Sequence, residues 1–145
     1  MFMLPRLLVV LGAAAGLLGC KHQASSPFCP QGMLPLGPAT PSAKSLWCAS
    51  PDKARSQWIE WHDGAKQLRQ SCSYLQGKPE GSFTAWHVGG TPWVHGQFSG
   101  GVKVGKWKQW DVSGSLVAEG DYNSGRLVAG APVAAMAGCD KVPRP

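Results

Sequence analysis

The sequence predicts an all-β fold: a meander of antiparallel β-hairpins, about three copies of one unit, behind an N-terminal leader and a proline-rich linker. Three observations predict it. Chemically matched residues recur every 24 positions between residues 74 and 121, and a fixed period of that length marks a repeat architecture. Each copy holds a glycine-containing dipeptide flanked by strand formers, which is a hairpin signal. The 145 residues include 19 glycines and 12 prolines, a composition that interrupts long helices. With 43% hydrophobic and 15% charged residues, the chain suits one small domain with appendages, and a multi-domain enzyme is excluded.

The leader comes first. Arg6 precedes the apolar run Leu7 to Leu18, twelve residues where about 20 are needed to cross a hydrocarbon core, so it reads as a signal-peptide core. The run ends in Leu17-Leu18-Gly19-Cys20, which resembles the lipobox of bacterial lipoproteins. That resemblance implies cleavage of residues 1–19 and lipidation of Cys20, and Lys21 in place of Asp after it implies an outer-membrane lipoprotein facing the periplasm or the cell surface. Acyl chains at about 0.8 kcal/mol per buried CH₂ would hold it at the membrane without a spanning helix. Loss of Arg6 with the leader takes the net charge from +6 to +5, a balance suited to anionic lipid heads, lipopolysaccharide or acidic peptides. In such a compartment nucleic acid is not expected as a partner.

Without Cys20, four cysteines remain: Cys29, Cys48, Cys72 and Cys139. An even number in an exported chain predicts two disulfides, and three pairings are open. Pairing Cys29 with Cys48 would close the proline-rich segment, and pairing Cys72 with Cys139 would tie down the tail. No Cys-x-x-Cys occurs, and His22, His62, His87 and His95 lack ligand spacing around the cysteines, so no metal site is expected.

Residues 20–51 form the lipidated cysteine and linker. Six prolines (Pro27, Pro30, Pro35, Pro38, Pro41 and Pro51) stand among Ser, Ala and Gly, and the stretch is expected to act as a spacer that forms no ladder. Residues 52–128 are assigned to the repeats and 129–145 to a tail of small residues that could cap the domain through Cys139.

Two rows of 24 residues place Tyr74 over Phe98, Gly77 over Gly101, Gly81 over Gly105, Phe83 over Trp107, Trp86 over Trp110, Gly90 over Gly114 and Gly96 over Gly120. Tyr122 and Gly125 begin a third row, and a blurred earlier copy starts near Trp58. Two-residue turns at Asp63-Gly64, Gly89-Gly90 and Ser113-Gly114 would then set the register. Counting outward, Trp86 faces Trp93, Trp110 faces Val117, Phe83 faces Gly96, Trp107 faces Gly120, and Lys108 opposes Glu119. Each facing ring could lie across a strand glycine. In the blurred copy Trp58 opposes Arg69 and Trp61 opposes Lys66 as cation-π pairs. The ring positions within a unit are three residues apart, so both sheet faces are expected to carry aromatics.

The segments Tyr74-x-x-Gly77-x-x-x-Gly81-x-Phe83-x-x-Trp86 and Phe98-x-x-Gly101-x-x-x-Gly105-x-Trp107-x-x-Trp110 resemble the MORN-type repeat, in the variant of bacterial YwqK-type antitoxin-like proteins, over about residues 55–128. The resemblance implies a ribbon of antiparallel hairpins with a binding or scaffold role and no catalytic residue. Lipoproteins of this kind are similar also in Cys29-Pro30-Gln31-Gly32 and Trp47-Cys48, which favours the Cys29–Cys48 pairing.

Catalytic chemistry finds little footing. Gly100 to Lys106 nearly spells a phosphate-binding loop, but Trp107 stands where Ser or Thr should bind magnesium and no helix is expected after it. No cofactor is expected. Glu60, His62, Asp63, His87 and His95 could supply an acid and a base, yet the same residues read as polar positions alternating out of hairpins. Of seven tryptophans, those on the period read as packing, while Trp93 stands outside it and is the first candidate for recognition, with Trp86 and Trp110 beside it. The expectation is a non-catalytic, lipid-anchored envelope module binding an unidentified envelope protein. A glycan or peptidoglycan binder is the alternative from another class, and an antitoxin-like protein a third.

Overall fold

The computed structural model describes residues 28–37, 42–62, 67–134 and 139. Among the described residues nine strands, β1 (Leu34–Pro35), β2 (Ser45–Ala49), β3 (Arg55–Trp61), β4 (Leu68–Leu75), β5 (Lys78–Trp86), β6 (Pro92–Ser99), β7 (Val102–Trp110), β8 (Leu116–Asn123) and β9 (Arg126–Gly130), form one antiparallel sheet in chain order. The fold is an all-β meander. Cys20 with residues 1–19, and the Asp63-Gly64 turn with Lys66, lie outside the described residues.

Two kinds of turn alternate along the ribbon. At one end Gln76-Gly77, Gly100-Gly101 and Ser124-Gly125 are two-residue turns with positive φ at both positions, spaced by the 24-residue period. This is the type I′ geometry whose twist matches its flanking strands. At the other end the expected two-residue turns give way to longer ones. His87 N–H donates to Thr91 O (2.9 Å) and Gly90 N–H to His87 O (3.0 Å); Asp111 and Ser115 close the next turn in the same way. Ser113 lacks the positive φ that a type I′ turn requires, because Asp111 Oδ1 accepts the N–H groups of Ser113 (2.9 Å) and Ser115 (3.0 Å) and holds a wider turn with Gly114 at φ 86°.

The wider turns correct the register at the strand ends. Trp86 pairs with Pro92 instead of Trp93, and Trp110 with Leu116 instead of Val117. One bulged residue on each return strand, Trp93 or Val117, restores the count, so Phe83 does face Gly96, Trp107 faces Gly120 and Lys108 faces Glu119. In the first copy six residues separate the paired Trp61 and Leu68, and the register moves further. Trp58 opposes Cys72 and Trp61 opposes Leu68, so the expected cation-π pair of Trp58 with Arg69 is absent, and Arg69 pairs instead with Glu60 at 3.0 Å.

The strand glycines have a packing role, but not with the rings that face them in the ladder. A Cβ at Gly96 would fall inside the indole of Trp107, one strand onward, not against the facing Phe83. The bulge between His95 and Gln97, with Gly105 at φ 64°, swings β7 so that Trp107 reaches over β6 and donates its Nε1–H to Gln97 O (3.1 Å). At Gly120 the space is taken by Ala131 O and the Leu127 side chain.

The aromatics gather mainly on one face. Trp47 lies 5.3 Å from Trp58 and 5.0 Å from Tyr74, while Phe83, Phe98, Trp107 and Tyr122 continue the stack at 5.1 to 6.3 Å between centroids. The opposite row reads Leu46, Ile59, Ser71, Thr84, His95, Lys108 and Glu119 through successive pairs, so along that row the face is apolar only over β2 and β3. There Leu46, Cys48, Ile59 and Trp61 are buried beneath Phe28, Cys29 and Met33, which the Cys29–Cys48 disulfide holds in place.

This corrects the linker reading. Ser45–Ala49 is an inner strand with Leu46, Trp47, Cys48 and Ala49 buried, because Pro41 and Pro51 flank that run without entering it, and Pro35 sits on the two-residue edge strand. Val133 and Cys139, described residues of the tail, pack on the aromatic face. Val133 N–H donates to Tyr122 Oη (3.1 Å), Ala134 N–H to Gln109 Oε1 (2.9 Å), and Cys139 is bonded to Cys72 on β4 while its carbonyl accepts from Tyr74 Oη (2.6 Å).

Candidate functional site

The bulged residues of the three return strands are Arg69, Trp93 and Val117, again 24 apart. Trp93 therefore occupies a repeated position with a side chain of its own, not one outside the pattern. A bulge breaks the alternation of a strand and re-aims one side chain. The Trp93 ring lies 5.5 Å from that of His87 at an interplanar angle of 32°. Together with His62, Arg69, Gln70, Trp86 and Val88 they wall a cavity of about 310 Å³ at the wide-turn end of β3–β6. Val88, at the tip of its turn, is 77% exposed.

The imidazoles of this cleft are tied to the sheet. His62 Nε2 lies 3.0 Å from Trp86 O, and His87 Nε2 lies 3.0 Å from Trp110 O. A carbonyl oxygen can only accept, so each Nε2 carries the proton and donates it. The repeated Trp-His dipeptides (Trp61-His62 and Trp86-His87) thereby fasten each unit to the next, and at the third copy Asp111 takes the same place and holds its own turn. Gln67 Nε2 donates to His87 O (2.8 Å), and the Glu60 carboxylate accepts from Arg69 Nη1 (3.0 Å) and Gln70 Nε2 (2.6 Å). His95 Nδ1 shares a 2.9 Å hydrogen bond with Thr84 Oγ1. Four of the five acid-base candidates are thus spread through cross-strand bonds, and Asp63 lies outside the described residues.

Of the three tryptophans named from the sequence, Trp86 and Trp93 come together in the cleft and Trp110 does not line it. Trp110 contributes a backbone acceptor instead. Among the described residues, no group of three or more His, Cys, Asp or Glu side chains is placed to hold a metal ion. One cation escaped the sequence reading. Lys103 Nζ lies 4.4 Å from the Trp107 ring and 5.1 Å from that of Tyr122, and burial holds its pKa below the ordinary lysine value. Its place at one period after Pro79 carries no chemical echo in the sequence, so nothing marked it beforehand.

No family model and no curated protein matches the chain. Among solved structures it is similar to the pneumococcal O-GlcNAc transferase GtfA in complex with UDP and GlcNAc, at 14% identity and a TM-score of 0.43, over 68% of this chain and 19% of that one. The chain thus spans about a fifth of the transferase, and a likeness this loose carries no argument about activity.

Proposed function

We propose that the chain is a lipid-anchored envelope protein whose MORN-like hairpin ribbon binds another protein without catalysis, through the cleft between Trp86 and Trp93. The carrying observation is that cleft. Two half-buried indoles and the exposed Val88 flank an opening large enough for a partner's apolar side chain, while Arg69 and Gln70 supply a polar rim. The engagement of His62, His87, Glu60 and His95 in bonds that join strands supports a binding role over an acid-base one. The Leu17-Leu18-Gly19-Cys20 sequence supports the anchor.

Palmitate labelling of the full chain, lost in Cys20→Ser, tests the anchor. Photocrosslinking from position 88 in native envelopes tests the binding: a reproducible protein partner, lost in Trp93→Ala, is expected, and recovery of abundant envelope proteins alone would contradict it. The two indoles also suit stacking on a sugar ring. Saturable binding of peptidoglycan fragments that disappears in Trp93→Ala would transfer the cleft to that reading.

A further inference from the structure

At the other end of the strands, beside the β4–β5 turn, lies a second and larger cleft of about 430 Å³. Its walls are the side chains of Leu36, Trp47, Ala49 and Tyr74, with Ser56 and Lys53 as the polar contributors. Trp47 and Ala49 are inner-strand residues with little exposure and form its floor. Tyr74 brings its ring and not a spare donor, because its hydroxyl is given to Cys139 O at 2.6 Å.

Lys53 is the one charged wall residue, and it makes no ion pair among the described residues. Its backbone is held at φ 56°, a left-handed conformation that residues with a Cβ rarely adopt. The surrounding turn enforces it: Lys53 N–H donates to Ser50 O (2.8 Å), Ala54 N–H to Asp52 Oδ1 (3.1 Å), and Arg55 N–H to Ser50 Oγ (3.0 Å). The adjacent acid, Asp52, is turned into this network by Ser50 Oγ and Ala54 N–H. An apolar, aromatic-walled cleft with Lys53 as the single charged residue of its lining is complementary to an apolar body carrying one negative charge.

We propose that this cleft binds a small alkyl carboxylate, its chain against Trp47, Leu36, Ala49 and Tyr74 and its carboxylate at Lys53 Nζ. The site is separate from the Trp86–Trp93 cleft and does not depend on the protein-binding role. Equilibrium dialysis of labelled decanoate and labelled decanol against the full chain tests it. Decanoate binds saturably and tighter than decanol; Lys53→Met weakens decanoate by about tenfold, as expected for a lost charge-assisted contact, and leaves decanol unchanged. Trp93→Ala leaves both ligands as in the wild type, which locates the binding. Lys53 is exposed, so circular dichroism of Lys53→Met should match the wild type. Absence of saturable decanoate binding, equal affinity for decanol, indifference to Lys53→Met, or loss in Trp93→Ala would each overturn the assignment.

Discussion

Replacing Gly96 by alanine probes how neighbouring hairpins lock together. Gly96 has an ordinary strand φ, so the methyl group brings no backbone strain, and its whole cost comes from the Trp107 ring that already fills its position. Trp107 is 1% exposed and bonded through Nε1 to Gln97 O, so the indole has no free direction in which to yield. Overpacking of this kind costs about 1 to 3 kcal/mol. Displacing the ring adds about 1 kcal/mol for the hydrogen bond. The expected loss is therefore about 2 to 4 kcal/mol, a large share of the roughly 5 to 15 kcal/mol typical of a domain. Gly100→Ala is the control, since it meets nothing within 4 Å and is limited to the strain of φ 58°, about 1 to 2 kcal/mol. Urea unfolding with the disulfides intact measures both, and a double-mutant cycle with Trp107→Leu isolates the contact. In that background the Gly96→Ala cost should fall by at least about 1 kcal/mol. An unchanged cost would refute the idea that this glycine exists to admit the next hairpin's ring.

Further outcomes follow from the same packing. Replacing Cys72 and Cys139 together by alanine should cost about 4 kcal/mol, more than removing Cys29 and Cys48, because the first pair closes 67 positions and the second 19; equal urea midpoints for the two variants would contradict it. His87→Ala should destabilise by about 1 kcal/mol through the lost donor to Trp110 O; a ring-nitrogen chemical shift placing the proton on Nδ1 would contradict the assignment. The Asp111 carboxyl is held below the usual range, first by the Ser113 hydroxyl and then by the Ser115 N–H. Its stabilising contribution is thus complete above the unfolded-state value and is lost as pH falls through the lower folded value. Asp111→Asn keeps an acceptor without the charge, so thermal unfolding below about pH 4 should lose less stability on acidification than the wild type; parallel curves would oppose it.

What the sequence revealed follows from which signals are local. The 24-residue period expresses one hairpin geometry repeated, and so the sheet, its order and the central pairs Phe83–Gly96 and Trp107–Gly120 could be counted in advance. Turn type could not. Ser113-Gly114 has the composition of a tight turn, and only the Asp111 side chain, two residues earlier, selects the wider one and with it the bulge at Val117. The same offset hid the cleft, since Trp93 looked aperiodic until Arg69 and Val117 were seen at its structural position. Proline density misled over residues 45–49, where the apolar Leu46-Trp47-Cys48 run outweighs its proline-rich flanks by burial against β3. Which ring fills Gly96 was beyond reach for a further reason. It depends on the bend at Gly105, a tertiary displacement that no pairing count contains.

Successive hairpins β5–β6 and β7–β8 nest where the Trp107 ring enters the gap left by Gly96 in the strand before it. Proton NMR of the oxidised protein tests it most directly, through the α-protons of Gly96 and their cross-strand contacts. Nesting should move a Gly96 α-proton strongly upfield through the Trp107 ring, restore it to an ordinary glycine shift in Trp107→Leu, and give backbone contacts from Gly96 to Phe83. Ordinary Gly96 shifts in the wild type, or no contact to Phe83, would contradict it.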